Sequence, residues 1–192
     1  MIYFSSDRHL NHKNVIWYDN RPFESVDDMN NVVKDAISKL SEKDILYFLW
    51  DLCFGNRWID DILSVMKCKA YWILGNHDNN PCVKKFSKYF EEVTHYKEVF
   101  VWGTKFILCH YPILSWNNMH YWSYMIHGHS HQKQTYPKFQ SAKNILDVSW
   151  DGWEDLIYTK ETIDEKIGKR KEKMWLKVLD LPQTDDAGET ID

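Results

Sequence analysis

Three of the chain's nine histidines fall within Ile126-His-Gly-His-Ser-His131. A solvated loop has no need of imidazoles at that density and a core avoids them, so metal ligation or a proton relay is the chemistry to look for. Asp7-Arg-His9 and Gly75-Asn-His-Asp78 add carboxylates, an amide and further imidazoles, and Asp51 and His110 stand alone after apolar runs. Asp7 and His9 are two residues apart, as are His129 and His131. In extended chain, residues i and i+2 point to one face, so each pair can converge on one ion or on two neighbouring ions. Gly75 and Gly128 directly precede these candidates, and glycine permits the tight or left-handed turn that aims the next side chain.

The elements that must position these groups are short. Ile2–Phe4, Ile45–Trp50, Tyr71–Leu74, Phe106–Cys109, Tyr124–Ile126 and Ile145–Val148 are strand-like in length and in aromatic and branched content. "VFVWGTKFILC" reads as a hairpin turning at Trp102-Gly103. Ser25-Val-Asp-Asp28 is a capping box opening a helix with Val26, Met29, Val33, Ile37 and Leu40 on one face. Trp58, Ile59, Ile62, Leu63 and Met66 repeat that pattern, and Pro81 starts a third helix through about Tyr89. Alternating strands and helices predict an α/β domain. Five strands end at Asp7–His9, Asp51, Asn76–Asp78, His110 and His129–His131, and sites in such sheets form beyond the carboxyl ends of the strands.

The chain's 192 residues suffice for one domain with a substantial core. A net charge of −4 argues against a general nucleic-acid-binding surface. The apolar runs are too short to span a bilayer, and the first residues do not form a signal peptide. Cys53, Cys68, Cys82 and Cys109 are scattered, which fits a reduced, cytoplasmic protein. The expected catalytic domain covers residues 1–160, followed by a C-terminal helical extension and polar tail, 161–192. Within it "GKRKEK" reads as a solvated helix face.

Taken in order, D-x-H, D, GNHD, H and GHxH resemble the calcineurin-like metallophosphoesterases, from Asp7 to His131. "RPFESVDDMN" and "CHYPILSW" are similar to the small stand-alone members. The resemblance implies a β sandwich flanked by helices, a four-layer αββα arrangement, with a dinuclear metal site at one edge. It places Asp7, His9 and His131 on one ion, Asn76, His110 and His129 on the other, and Asp51 between them. An oxygen and imidazole set without thiolate suits Mn, Fe, Zn or Co, with Mn favoured. The implied chemistry is in-line attack on phosphorus by a hydroxide held between the ions. The family pattern makes His77 the protonator of the leaving group, with Asp78 orienting it, and leaves His127 to pack or orient a ligand. One departure is Trp50, which stands where the family carries glycine before the bridging Asp.

"WDLCFGNRW" and GNHD differ from the DRG and GNHE of the protein phosphatase branch. The expected activity is a phosphodiesterase acting on a small nucleotide or short oligonucleotide. A phosphomonoesterase uses the same dinuclear core, and a third reading is a non-catalytic protein-binding scaffold. His12 and Asn14, at a helix start, and Arg21 and Arg57 are candidate phosphate contacts. Trp116, His120, Tyr121 and Trp122 form an aromatic loop that can stack a base or anchor in the core. The native metal and oligomeric state are not legible in the sequence.

Overall fold

The computed structural model describes residues 1–49, 51–52, 54–55, 58–133, 144–151 and 156–168. Trp50, Arg57 and the tail beyond residue 168 lie outside these, and so do the expectations attached to them.

Two sheets, both mostly parallel, make up the β structure. The first has the order β4-β3-β2-β1-β9, from β1 (Ile2–Ser5), β2 (Ile45–Leu49), β3 (Lys69–Ile73), β4 (Glu92–Thr94) and β9 (Tyr158–Thr159). Only β9 runs antiparallel to its neighbour there. The second has the order β5-β6-β7-β8, from β5 (Tyr96–Val101), β6 (Thr104–Cys109), β7 (Tyr124–His127) and β8 (Ile145–Asp147), with β5 antiparallel. The β5–β6 turn is at Trp102 and Gly103, at φ 45° and 80°. Two successive positive φ angles match the right-handed twist of a tight hairpin, which is why a glycine sits there.

Side-chain alternation assigns the layers. Tyr47, Leu49 and Ile73 face Phe106, Leu108, Ile126 and Leu146 across the sandwich, and the Phe4 and Phe106 rings stack at 5.1 Å. The intervening residues Leu46, Phe48, Ala70 and Trp72 point the other way, onto the helices. Each such buried aliphatic or aromatic side chain contributes about 1.5–3 kcal/mol. The helices are α1 (Lys13–Tyr18), α2 (Val26–Ser38), α3 (Ile59–Leu63) and α4 (Asn80–Phe86), the last running into a 3-10 turn at Ser87–Tyr89. Ser25 Oγ accepts the Asp28 N–H at 3.1 Å, and Met29, Val33 and Ile37 form the buried stripe, as the capping box predicts. Asn79 caps α4 through the Cys82 N–H, with Pro81 in its first turn. Helix α3 is shorter than its pattern, Trp58 to Met66, suggests. Trp58, expected on the buried face, is its left-handed N-cap and is 54% exposed.

The four-layer expectation needs amending among the described residues. The outer face of the second sheet is covered by the segment between β6 and β7, through Trp116, Ile113 and Met119, and that segment forms no helix. The Trp116 indole donates to Ser123 Oγ at 2.9 Å, so of the two roles open to this ring it takes the anchor. A helix, α5, covers residues 160–168, and its Ile163 and Ile167 are buried in the sandwich core.

No helix among the described residues is long and apolar enough to cross a membrane. Among the described residues Cys68, Cys82 and Cys109 form no disulfide.

Candidate metal centre

The carboxyl ends of β1, β2, β3, β6, β7 and β8 meet along one edge. There a bridge pairs Ser6 with Ser149, and the Trp150 N–H donates to Ser6 O at 3.1 Å, joining the two sheets. All seven expected ligands converge at this seam.

Asp7, His9 and His131 form one group. Asp7 is fully buried, and its Oδ2 accepts from the His129 N–H and the Ser149 hydroxyl, both at 2.9 Å, and from Ser6 Oγ at 2.5 Å. Its Oδ1 has no hydrogen-bond partner and lies 3.4 Å from His131 Nε2 and 3.7 Å from His9 Nε2. His9 Nε2 and His131 Nε2 are 3.1 Å apart. Two nitrogens bound to one ion at about 2.1 Å come within about 3.0–3.4 Å of each other, so this spacing suits shared coordination. Asp7, His9 and His131 could therefore hold a metal ion, with Asp7 Oδ1 a buried oxygen open to it.

The second group centres on Asn76 Oδ1, 3.0 Å from His110 Nε2 and 3.1 Å from His129 Nδ1. His110 is fully buried, with Nδ1 3.3 Å from Leu49 O, which leaves Nε2 for the site. Asp51 lies between the groups. Its Oδ2 is 3.9 Å from His9 Nε2, 3.7 Å from His110 Nε2 and 3.8 Å from His77 Nε2, while Oδ1 accepts the His77 N–H at 2.9 Å. Asp7, Asp51 and His110 make a further group with metal-ligand spacing.

Burial and close charges shift the titration of several of these groups. Burial and the neighbouring Asp7 charge push Asp51 up to about 7. Burial would raise Asp7 too, yet the His9 ring and the charges of His110 and His131 hold its carboxyl well below the usual range. Burial pulls His9 down to about 4. His131 goes the other way. Burial would lower it, but Asp151 and Asp19, with Asp7, raise it to about 10.

The ligands converge by a route other than extended chain. Asp7, His9, His129 and His131 have φ of 52°, 50°, 68° and 47°, all in the left-handed region. Asp and His are among the few non-glycine residues that occupy it readily. Gly128 has no positive φ; it is glycine for space, because a Cβ there would come within 1.8 Å of Ser6 Oγ and 2.1 Å of Asp7 Oδ2.

Several expected roles change. Asp78 does not orient His77. Its Oδ1 accepts the Leu52 N–H at 3.0 Å, and its Oδ2 accepts the Gly75 N–H at 2.8 Å and the Trp72 indole at 3.1 Å. It therefore holds the GNHD loop, and burial pushes it up to about 6. Arg21, expected as a phosphate contact, lies beneath the first group. It is 4% exposed and donates to Asp7 O at 2.8 Å and Arg8 O at 3.0 Å, bracing the backbone beneath the first group. His12 caps α1 by accepting the Val15 N–H at Nδ1, with its ring 5.8 Å from that of His9. Asn14 is exposed on α1. His77 is 42% exposed, and burial lowers its pKa. His127 is buried, with Nδ1 2.8 Å from Gly128 O, in a packing role.

Sequence reasoning missed three carboxylates. His131 Nδ1 lies 2.8 Å from Asp19 Oδ2 and 3.1 Å from Asp151 Oδ1, contacts that fix the ring with Nε2 toward the site. Asp147 accepts from the Gln132 N–H at 3.0 Å and the Ser149 N–H at 2.8 Å, and from the Ser130 hydroxyl, so it pins the loop that carries His129 and His131. Asp147-Val-Ser149 has the spacing of an Asx turn, a signal present in the sequence. Asp19 and Asp151 carry no such signal.

The chain is 33% identical over 154 residues to the uncharacterised protein MJ1445 of Methanocaldococcus jannaschii, covering 77% of this chain and 80% of that one. Among solved structures, the protein of unknown function AQ665 from Aquifex aeolicus shares the fold at a TM-score of 0.69. Its identity is 22%, with 86% of this chain and 98% of that chain covered. An archaeal phosphodiesterase is similar at a TM-score of 0.41 and 18% identity, over 68% of this chain and 73% of that one, too distant to bear on function. No family model matches the chain.

Proposed function

We propose that this chain, which belongs to the same family as MJ1445 of Methanocaldococcus jannaschii, is a metal-dependent phosphoester hydrolase, and specifically a phosphodiesterase acting on a small nucleotide or short oligonucleotide. The observation that carries the reading is the place of Asp51 Oδ2, within 3.9 Å of His9 Nε2 and 3.7 Å of His110 Nε2, between two groups of ligand atoms. The ordered resemblance of the motifs to the calcineurin-like metallophosphoesterases supports it.

Asp7, His9 and His131 would hold one divalent ion and Asn76, His110 and His129 a second, with Asp51 the carboxylate available to both. Bound there, such ions would supply a water nucleophilic at neutral pH and positive charge for the attacking and leaving oxygens. Asp19 and Asp151 keep His131 aimed at the first ion, and Asp147 keeps its loop in place. His77, half open to solvent and 3.8 Å from Asp51 Oδ2, stands where it can give a proton to the departing alkoxide. Its backbone N–H on Asp51 Oδ1 ties the position of that acid to the carboxylate between the groups.

The test uses protein stripped of metal and resupplied with manganese, with rates compared on a bis-aryl phosphate diester and an aryl phosphate monoester. Metal-dependent diester turnover that Asp51→Asn abolishes is the expected result. Preference for the monoester overturns the substrate class, and absence of both metal uptake and turnover overturns the hydrolase.

A further inference from the structure

Phe54 sits beside the candidate centre in a way that packing does not explain. Its ring is 49% exposed, yet its backbone is pinned: the Phe54 N–H donates to Leu10 O at 2.7 Å, and Leu10 N–H to Leu52 O at 3.0 Å. These bonds lace the loop after β2 to the loop after β1. The Phe54 ring is 5.5 Å from that of His77 and 4.2 Å, edge to face, from that of His12. His12 is itself fixed, because its Nδ1 accepts the Val15 N–H at 2.8 Å. Beyond it Tyr18 follows at 6.4 Å and Trp17 at a further 5.4 Å, with 59% and 79% of their surfaces exposed. An arc of rings therefore starts one ring away from His9 and His77 and leads outward over α1.

We infer that this arc, with Phe54 and His12 at its inner end, is a stacking platform for the nucleobase of the substrate. The inference rests on the proposed phosphodiesterase reading and adds where the base goes. Rings held rigid by their backbones lose little entropy when a ligand covers them. Phenyl and indole faces take any base, so the platform selects nucleosides without selecting a sequence. Among the described residues no cation lies over a ring of the arc, and Lys133 Nζ reaches its outer end at Tyr18 O, 3.3 Å away. His12 thus changes from an expected phosphate contact to a ring that supports Phe54. Tyr121 and Trp122 are exposed as well.

The test compares adenylyl-adenosine with the same diester lacking both bases, on manganese-loaded protein. The wild-type KM for the base-bearing diester is expected to be lower, and Phe54→Ala to remove about 5- to 150-fold of that preference, the range for one stacked base. Phe54→Trp should restore it. Calorimetry of adenylyl-adenosine on Asp51→Asn protein, which does not turn over, reads binding by itself and should weaken when Phe54→Ala is added. Equal KM values for the two diesters, or a preference and binding that survive Phe54→Ala, overturn the platform. Base-dependent binding without metal-dependent hydrolysis of any diester keeps the platform and overturns the hydrolase, whereas bis-aryl diester hydrolysis without base dependence does the reverse.

Discussion

The His9 and His131 rings lie almost parallel, 15° between their planes, with centroids 5.0 Å apart and Nε2 atoms 3.1 Å apart. At that distance one proton, or one cation, has to sit between the two nitrogens. The orphaned Asp7 Oδ1 beside them favours the cation.

Metal binding should therefore be visible as stability. A ligand at a hundred times its Kd adds about 2.7 kcal/mol, or about 5–10 °C of Tm for a domain of this size. Manganese added to stripped protein is expected to raise Tm by that order, and Asp51→Asn to cancel most of the gain. Scanning calorimetry with and without the metal checks this, and identical curves would remove the metal site.

The same gain should grow with pH. In the metal-free protein Asp51 is raised to about 7 and His131 to about 10, both above their unfolded values. Groups of that kind stabilise the fold while protonated, fully below the unfolded pKa, and the contribution fades as pH rises through the folded one. Asp51 thus costs the metal-free fold stability between about 4 and 7, and His131 from about 6.5 upward. Metal takes the place of those protons. The manganese-induced Tm shift is expected to be larger at pH 8 than at pH 5.5, and a shift that shrinks over this range contradicts the assignment.

His77→Ala should separate chemistry from metal. The ring is absent from both ligand groups, so metal content by elemental analysis should stay at the wild-type ratio. Turnover of the diester should fall by about a hundred- to ten-thousand-fold, as for loss of a general acid. Metal content falling in step with turnover would make His77 a ligand instead.

Gly128→Ala should damage the centre from behind. Its Cβ would meet Ser6 Oγ at 1.8 Å, Ser6 Cβ at 2.7 Å and Asp7 Oδ2 at 2.1 Å. Overpacking of this kind costs about 1–3 kcal/mol, a Tm loss of about 2–12 °C, and here it also moves the buried ligand Asp7. Manganese affinity should fall together with Tm. A variant with wild-type Tm and metal binding would show that the strand ends are looser than they look.

The strands and the start of α2 were legible because they rest on local pattern. Alternation along Leu46-Tyr-Phe-Leu49 separates the two faces of β2, and Ser25 with Asp28 marks the start of α2. Polar groups directly after apolar runs pointed to the candidate positions, whereas the sandwich and the division into two groups came from the resemblance. The backbone that aims them was not legible, since the left-handed φ of Asp7, His9, His129 and His131 follows from contacts between the sheets. Arg21 read as a phosphate contact because a sequence displays charge and conceals burial. Asp19 and Asp151 reach His131 from loops that only the fold brings together. The strands β4 and β9 are too short to carry a pattern.

The ligands divide across the seam at Ser6 and Ser149. Asp7, His9, Asp51 and Asn76 follow strands of the first sheet, and His110, His129 and His131 follow strands of the second. Each candidate group draws from both, so an ion held as proposed would pin one sheet to the other at this edge. Loading the centre should then slow amide exchange at the carboxyl ends of β1 and β7 together, while leaving the far hairpin at Trp102 untouched. On the proposed reading, a metal here would be as much a clasp on the architecture as a tool of chemistry.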